Sequence, residues 1–472
     1  MAARWGFITA GEIARAAGGT LIRGSGRTPF TALGTDSRSI VSGQVFWALK
    51  GERFDGHDFA AEALRQGAAG VVIRQDRQGI LLPPSAGAVI AVPDTLRALG
   101  DLAAWWRHEL PARVAAITGS VGKSTTKEMA ASILGLGQKT LRNRGNLNNL
   151  VGLPLTLFQL EADHRAAVLE MGMNRPGEIA RLTEIADPDV GLITNVARVH
   201  LEGLGDIQGV ARAKVELVER SSPRARIILN GDDGTLMKTA AAFGHRIMTY
   251  GVGRAHDVRA RNIRNLGRDG LTFDLDHEGG TVPVRLRIAG SQHVYNALGA
   301  AAIALSLDAS PEQVREGLYA FQGIQGRFTL TGLPGGMTLV DDTYNSNPFA
   351  LRAALESLRS LIAPGGRVIV GLGEMMELGG ETESAHFEAG EMVAALSPGY
   401  FVAMGEHAWQ MIEGALRKGF PRERAATAAS HGEMARMLGR AAKEGDLIFI
   451  KGSRRMGLEK VCEILKKERK RR

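Results

Sequence analysis

Cysteine is all but missing from these 472 residues: Cys462 stands alone, which excludes an internal disulfide and suits a reducing compartment. No apolar run reaches the ~18 residues of a membrane span. The start, Met1-Ala2-Ala3-Arg4-Trp5-Gly6-Phe7, lacks an apolar segment of signal-peptide length. Internal repeats and low-complexity tracts are absent as well. Surplus charge is scarce outside one place. The total is +8, but residues 466–472 hold six basic side chains and one acidic one, so +3 is left for the other 465. A basic run at a C-terminal helix end complements the helix dipole, so the pI of 9.7 is no argument for nucleic acid. The expectation is a soluble cytoplasmic protein, monomeric by default, with no nucleic acid and no integral membrane segment.

What is present is ordinary globular material: 44% hydrophobic, 23% charged, and 60 glycines to make the many turns of an α/β protein. A chain of this length should fold as about three domains. The organising stretch is Ala115 to Met129. A short apolar run leads into Thr118-Gly119-Ser120-Val121-Gly122-Lys123-Ser124 and then a helix-forming segment to about Leu134. A glycine loop between strand and helix aims backbone N–H groups and the helix's positive end at one spot, which suits phosphate. Lys123 can reach terminal phosphates, and the Ser124 hydroxyl can ligate Mg²⁺. The general pattern has glycine five residues before Gly122 where this chain has Ile117, so the motif is the shorter Thr-Gly-x-x-Gly-Lys-Ser form. It predicts ATP binding.

Residues 1–110 read as a first unit, with a strand at Phe46 to Leu49, a turn-rich loop at Gly51 to Gly56, and helices near Phe59 to Gln66 and Leu96 to Leu110. Asp36-Ser37-Arg38 offers a hydroxyl and a guanidinium on one loop, either an ordinary surface turn or a grip for phosphate or carboxylate. From 111 to 325 strands and helices alternate, predicting a parallel sheet with helices on both faces. Asn146 to Asn149 precede a helix with Pro154 in its first turn. Glu170 ends a strand, where ligands gather in such sheets; a surface carboxylate and a metal ligand are equally open there. His200 also follows a strand end, although a lone histidine is more often structural. Lys214 falls in a helix and reads as solvated. Glycines at 323 and 326 suggest a hinge into a third unit, 326–472, again α/β. Its Gly371-Leu372-Gly373-Glu374-Met375-Met376 loop lacks the third glycine of a dinucleotide fingerprint, which disfavours nicotinamide or flavin.

In this order the pieces resemble the Mur ligases, ATP-dependent enzymes that extend a nucleotide-linked sugar peptide. The likeness spans all three units and rests on the 118–124 loop, Glu170, Thr194-Asn195 with His200, Lys214, Asn296, Arg327 and Asp342. Within the family, Asp36-Ser37-Arg38, Phe54-Asp55-Gly56-His57, Asn146 to Asn149, Gly373 to Gly379, Lys451 to Arg454, and above all Asp341-Asp342-Thr343-Tyr344-Asn345-Ser346-Asn347-Pro348 are similar to the branch that adds D-alanyl-D-alanine.

The resemblance implies three α/β domains: a smaller one at 1–110 for the UDP end of the substrate, a central ATP-binding one at 111–325, and a Rossmann-like ligase domain at 326–472. It implies ligation of D-alanyl-D-alanine to a UDP-linked muramyl tripeptide through an acyl phosphate, a step of peptidoglycan precursor synthesis. Thr118, Gly119, Ser120, Val121, Gly122, Lys123 and Ser124, with Asn296, Arg327 and Asp342, would hold ATP. Ser124, Glu170 and His200 would hold two Mg²⁺ ions, and Lys123, His200 and Lys214 would act in catalysis, Lys214 as a carbamate. Asp36, Ser37, Arg38, Asp55, Gly56, His57, Asn146 and Asn149 would contact substrate, with Tyr344, Asn345 and Asn347 as candidates for the dipeptide. A folate-type amide ligase sharing the central domain is disfavoured by the Asp36 and His57 blocks. A phosphate-loop motor on nucleic acid is disfavoured by Glu170 and the near-neutral charge.

Overall fold

The computed structural model describes residues 8–80, 82–83, 87–253 and 255–468; the expectations drawn from residues 1–7 and from the basic tail at 469–472 lie outside them. Besides a two-stranded antiparallel pair, Ile8–Thr9 with Pro29–Phe30, three larger sheets follow one another along the chain. The first has five strands in the order Thr20–Arg23, Ala88–Val92, Gly70–Arg74, Gln44–Trp47, Ala32–Gly34, all parallel except the first. The second has nine, and the third six with Thr329–Leu333 antiparallel at one edge. Among the described residues no helix is long and apolar enough to cross a membrane.

The central sheet centres on Arg113–Thr118, between Ala166–Glu170 and Val190–Ile193. These strands are buried on both faces, so their sequence is a continuous apolar run rather than an alternation. The parallel expectation holds from Thr140–Arg142 across to Val258–Asn265, and then gives way. Leu271–His277 and Gly280–Leu286 continue as an antiparallel meander. The reason is local: these strands bury every second residue and are joined by tight turns, with Gly267, Gly270 and Gly280 at positive φ.

The domains are joined in two different ways. Thr95–His108, capped by Asp94, lies between the first and second sheets, and its Leu99 and Leu102 share one continuous apolar core with Trp47, Ile90, Leu182 and Ile185. Arg107 at its end donates to the carbonyls of Ala186 and Asp187. The third domain has largely separate cores, one of which takes in Ala289 of the central domain, and polar contacts such as Asn265–Ser360, Arg327–Ser124 and Ser357–Gln292 link the two. An apolar seam resists relative motion, whereas a polar one permits it. Gly323 and Gly326, at φ 87° and 73°, sit where the chain crosses.

Trp47 is fully buried and its indole N–H donates to the Thr95 carbonyl at 2.7 Å, tying sheet to shared helix. Trp47→Phe should cost about 1–3 kcal/mol, the loss of one buried hydrogen bond plus a small cavity. The check is a lower urea midpoint for the N-terminal domain.

Candidate active site

The phosphate loop runs from Thr118 to the helix Lys123–Leu134. Gly119 and Gly122 take φ of 145° and 90°, a backbone that side chains rarely adopt. Space makes the same demand: a Cβ on Gly119 would meet Thr194 Oγ1, and one on Gly122 would meet Asn296 Oδ1. The neighbouring strand's loop straps this turn down. Val121 N–H donates to Asn195 Oδ1 at 2.9 Å, while Asn195 Nδ2 and Thr194 Oγ1 donate to the Val121 carbonyl at 3.0 and 2.6 Å. Ser120 Oγ accepts from Ala197 N–H at 2.8 Å. Lys123 is half-buried and donates to the Gly119 carbonyl at 2.6 Å, curled over its own loop. Desolvation pushes its pKa down, against the opposing pull of Glu170, and Arg327 adds to the depression.

Glu170 is buried at the end of its strand. Asn143 clamps its backbone from both sides, accepting from Glu170 N–H and donating to its carbonyl, each at 2.9 Å. One carboxylate oxygen accepts from Asn148 Nδ2 at 2.9 Å; the other, Oε2, is buried with no partner. Thr118 Oγ1 and Arg327 Nε are in the same condition. A buried polar atom left unpaired costs about 1–3 kcal/mol. Two bare acceptors and a bare donor around one phosphate loop form a site whose hydrogen bonds are completed from outside the chain.

The third domain reaches over the loop. Arg327 Nη2 donates to Ser124 Oγ at 3.3 Å, and its guanidinium lies 4.1 Å from the Tyr344 ring centre, with Arg454 at 5.8 Å from the same ring. Asp342 is buried, accepts from Phe328 N–H at 3.1 Å, and pairs with buried Lys451 at 2.6 Å. Burial raises the pKa of Asp342 and lowers that of Lys451, each opposed by the other's charge. Between the central and third domains lies a cavity of about 890 Å³ whose walls include Gly122, Asn195, Asn296, Arg327, Asp342 and Lys451. Asn296 and His293 bond to each other at 3.2 Å beside it.

Lys214 lies on the helix Ile207–Arg220 and is 2% exposed, so the expectation of a solvated lysine fails. The helix turns this side chain inward with Val210, Ala211 and Leu217. Among the described residues no acceptor or carboxylate pairs with its amine, and burial, then the charge of Lys123, pushes its pKa well below the ordinary value. His200, at φ 54°, has Nδ1 2.5 Å from Glu377 Oε2 of the third domain.

Several candidates are engaged within the protein. Asp36 and Arg38 bind each other, through Nε at 2.9 Å and Nη2 at 2.7 Å, and Arg38 holds the carboxyl down to about 2. Ser37 starts the short turn that Asp36 caps. His57 is buried with both nitrogens committed: Nδ1 faces Asp55 at 2.5 Å, and Nε2 accepts from Arg74 N–H at 3.0 Å. It braces the Gly56 loop against the first sheet rather than projecting from it. Asn149 accepts from Val151 and Gly152 N–H, Asn347 from Ala350 N–H, and Asn345 from Ser346 N–H. These are helix-start and turn roles. Asn146 is exposed, and it is Asn148, passed over between them, whose side chain meets Glu170. Asn148, Lys451 and Glu377 were not singled out as site residues, although each falls in a block quoted for the family resemblance, because only the fold brings them to Glu170, Asp342 and His200.

A phosphate loop, a separate domain that lays an arginine on it, and a cavity between the two define a nucleotide-using enzyme of three α/β domains. The chain matches the Mur ligase middle domain over residues 117–304, the Mur ligase glutamate ligase domain over 326–454, and the Mur ligase family catalytic domain over 29–107. It is 38% identical to the UDP-N-acetylmuramoyl-tripeptide--D-alanyl-D-alanine ligase of Escherichia coli over 79% of this chain and 81% of that one. A crystal structure of MurF from Acinetobacter baumannii superposes with a TM-score of 0.87 at 33% identity, over 98% of this chain and 99% of the other. MurF from Thermotoga maritima, in complex with ADP, gives 0.81 at 26% identity, over 93% and 98%. The chain belongs to the Mur ligase family. It is an ATP-binding ligase.

Burial pushes the His293 pKa down to about 4. An unfolded histidine takes up its proton below about pH 6.5. Stability should therefore be lost as the pH falls from about 6.5 to about 4, by up to about 3 kcal/mol, with nothing further from this group below that. His293→Gln should flatten this part of the acid limb, read as urea midpoints at pH 7 and 4.5.

Proposed function

We infer that the chain ligates D-alanyl-D-alanine to UDP-N-acetylmuramoyl-tripeptide, spending ATP and releasing ADP and phosphate, in peptidoglycan precursor synthesis. The carrying observation is the ring of unpaired buried groups at the phosphate loop, Thr118 Oγ1, Glu170 Oε2 and Arg327 Nε. Support for the substrate pair comes from relatives bearing that activity in their names over most of their length. The setting is cytoplasmic and the working unit a monomer.

In the first half-reaction a carboxylate oxygen of the tripeptide attacks the γ-phosphorus, the bond to the bridging oxygen breaks, and ADP leaves an acyl phosphate behind. In the second, the dipeptide's amine nitrogen attacks the acyl carbon, the tetrahedral adduct expels phosphate, and the amine proton is released. Bringing a carboxylate to a triphosphate is a like-charge encounter, so fixed positive charge at the γ-phosphate is what lowers the barrier. Lys123 and the loop's N–H groups act from the central domain, and Arg327 acts from the third. Asn296, His293 and Asp342 line the nucleotide cavity. The first domain takes the UDP end through the Asp36–Arg38 turn and the loop of Asp55, Gly56 and His57. Asn146, Asn149, Tyr344, Asn345 and Asn347 flank the peptide end.

The donor set suits magnesium: Ser124 Oγ and the bare, buried Glu170 Oε2 are hard oxygen ligands, and His200 is assigned to a second ion. Magnesium bound there would supply further neutralisation of phosphate charge. Lys214 fits a carbamate. Its amine is buried, unpaired among the described residues, and displaced toward the neutral form that reacts with CO₂. Carbamylation of the neutral amine forms an N–C bond and releases one proton; counted from the ammonium, two protons leave and a cation becomes an anion beside Lys123.

Purified enzyme should release ADP fastest with ATP, the UDP-tripeptide and D-alanyl-D-alanine together; stimulation by a folate or by DNA instead would overturn the assignment. Lys123→Ala should lose about 3–4 kcal/mol of transition-state stabilisation, a hundred- to a thousandfold in kcat. Lys214→Ala should lose most activity and regain part of it with added short carboxylates. A Lys214→Ala rate near wild type in CO₂-depleted buffer would remove the carbamate.

A further inference from the structure

The edge strand Thr140–Arg142 pairs in parallel with Ala166–Glu170, and the pairing stops at Arg142 opposite Val168. One residue on, the side chain of Asn143 takes over. Its Oδ1 accepts from Glu170 N–H and its Nδ2 donates to the Glu170 carbonyl, each at 2.9 Å, as a peptide group of a further rung would. Nδ2 also donates to the Leu147 carbonyl at 2.9 Å, which holds the turn that brings Asn148 Nδ2 onto Glu170 Oε1. The backbone carbonyl of Asn143 accepts from Lys127 Nζ at 2.5 Å. Lys127 lies three residues after Ser124 on the helix Lys123–Leu134, so the two share a face. Asn143 and Lys127 are almost fully buried. A covered bridge thus runs from the helix that carries Ser124, through Asn143, to the backbone and carboxylate of Glu170. Strand pairing fixes Glu170 against Ile117; the bridge fixes it against the helix.

We propose that Asn143 is a positioning residue for the ligation. With Lys127 it sets the gap between Ser124 and Glu170, and through Asn148 it decides which carboxylate oxygen is left free. Asn148 occupies Oε1, so the free oxygen is Oε2, the one buried without a partner. The two hard oxygen ligands come from different elements, a helix start and a strand end. Magnesium demands near-ideal octahedral geometry at about 2.0–2.1 Å, so drift between those elements is costly. Lys127 makes a stiff tie, because a hydrogen bond from a charged donor is among the stronger ones in a protein. Loss of a partner that orients a metal ligand costs about 10–100-fold in affinity or activity. Neither Asn143 nor Lys127 is assigned a substrate contact, so the loss falls on the metal and not on the UDP-tripeptide. The inference rests on the assignment of Ser124 and Glu170 to magnesium.

The test compares Asn143→Ala, Lys127→Met and, as a destabilised control in the first domain, Trp47→Phe, each in the full-length enzyme. Manganese, a paramagnetic substitute for magnesium, is titrated into the enzyme–ADP complex and followed by electron paramagnetic resonance, a readout independent of turnover. Asn143→Ala should weaken manganese binding about 10–100-fold and raise the magnesium concentration for half-maximal rate in step, with KM for the UDP-tripeptide within about twofold. Lys127→Met keeps the buried stem and leaves Glu128 paired with Arg142; it should weaken binding about fivefold or more, the worth of one hydrogen bond. Trp47→Phe should stay within about twofold of wild type. Unchanged manganese affinity in either bridge variant would overturn the proposal. Equal weakening in Trp47→Phe would overturn it too, because general loosening would then be responsible. Should Asn143→Ala fail to fold, Lys127→Met decides by itself. Glu170→Gln separates the two readings: unchanged affinity there removes the magnesium assignment itself, whereas weakening there with none in Asn143→Ala removes the positioning role alone.

Discussion

The pair of hydrogen bonds between Asn195 and Val121 is the constraint on which the rest depends. A phosphate loop works only if its N–H groups point at one place before the ligand arrives, and glycines at positive φ cannot hold such a shape unaided. Asn195 bonds both the N–H and the carbonyl of Val121, so the turn has no cheap alternative. Thr194 and Asn195 follow the strand Val190–Ile193, and that strand is hydrogen-bonded to Arg113–Thr118, which leads into the loop. Loop and strap are thus positioned by one sheet, and rigidity passes from the apolar core to the backbone that meets phosphate.

Around this loop the protein buries charge that it does not neutralise internally. Lys214 is almost fully covered beside another lysine, and one oxygen of Glu170 has no donor. Such groups lower stability in the empty protein and become favourable when an anion, a cation or CO₂ completes them. Asp342 and Lys451 are the contrast, since their 2.6 Å pair is satisfied in place. Unsatisfied groups sit on both sides, Thr118 Oγ1 and Glu170 Oε2 in the central domain and Arg327 Nε in the third, so the site is complete only when the domains are together. The seams agree with this: one continuous apolar core on the first-domain side, and on the third a seam that carries polar contacts, with Ala289 joining its core.

The residues that carry chemistry were legible in the sequence wherever chemistry is local. Thr118 to Ser124 announces a phosphate loop because glycine, lysine and hydroxyl must follow one another along a few bonds. The strand ends at Glu170 and the three-unit division were readable from apolar runs and glycine turns. Side chains whose role is set by a partner far away in the chain were not. His57 is consumed by Asp55 and Arg74, Asn149 by a helix start, and Asn148 reaches Glu170 instead. The antiparallel edge at 258–286 was not foreseen either: Leu271–His277 and Gly280–Leu286 do alternate, but Val258–Asn265, which joins them to the parallel sheet, carries a register shift between Arg261 and Arg264.

By itself, then, the sequence determined a three-unit α/β chain with a phosphate loop and a carboxylate at a strand end, since each of these follows from neighbours within a turn or a strand. Tertiary structure alone decided that Lys214 is buried, that Asn148 meets Glu170, and that Arg327 and Glu377 cross from the third domain to Ser124 and His200. Burial and pairing depend on which distant segments share space, and no local pattern encodes that.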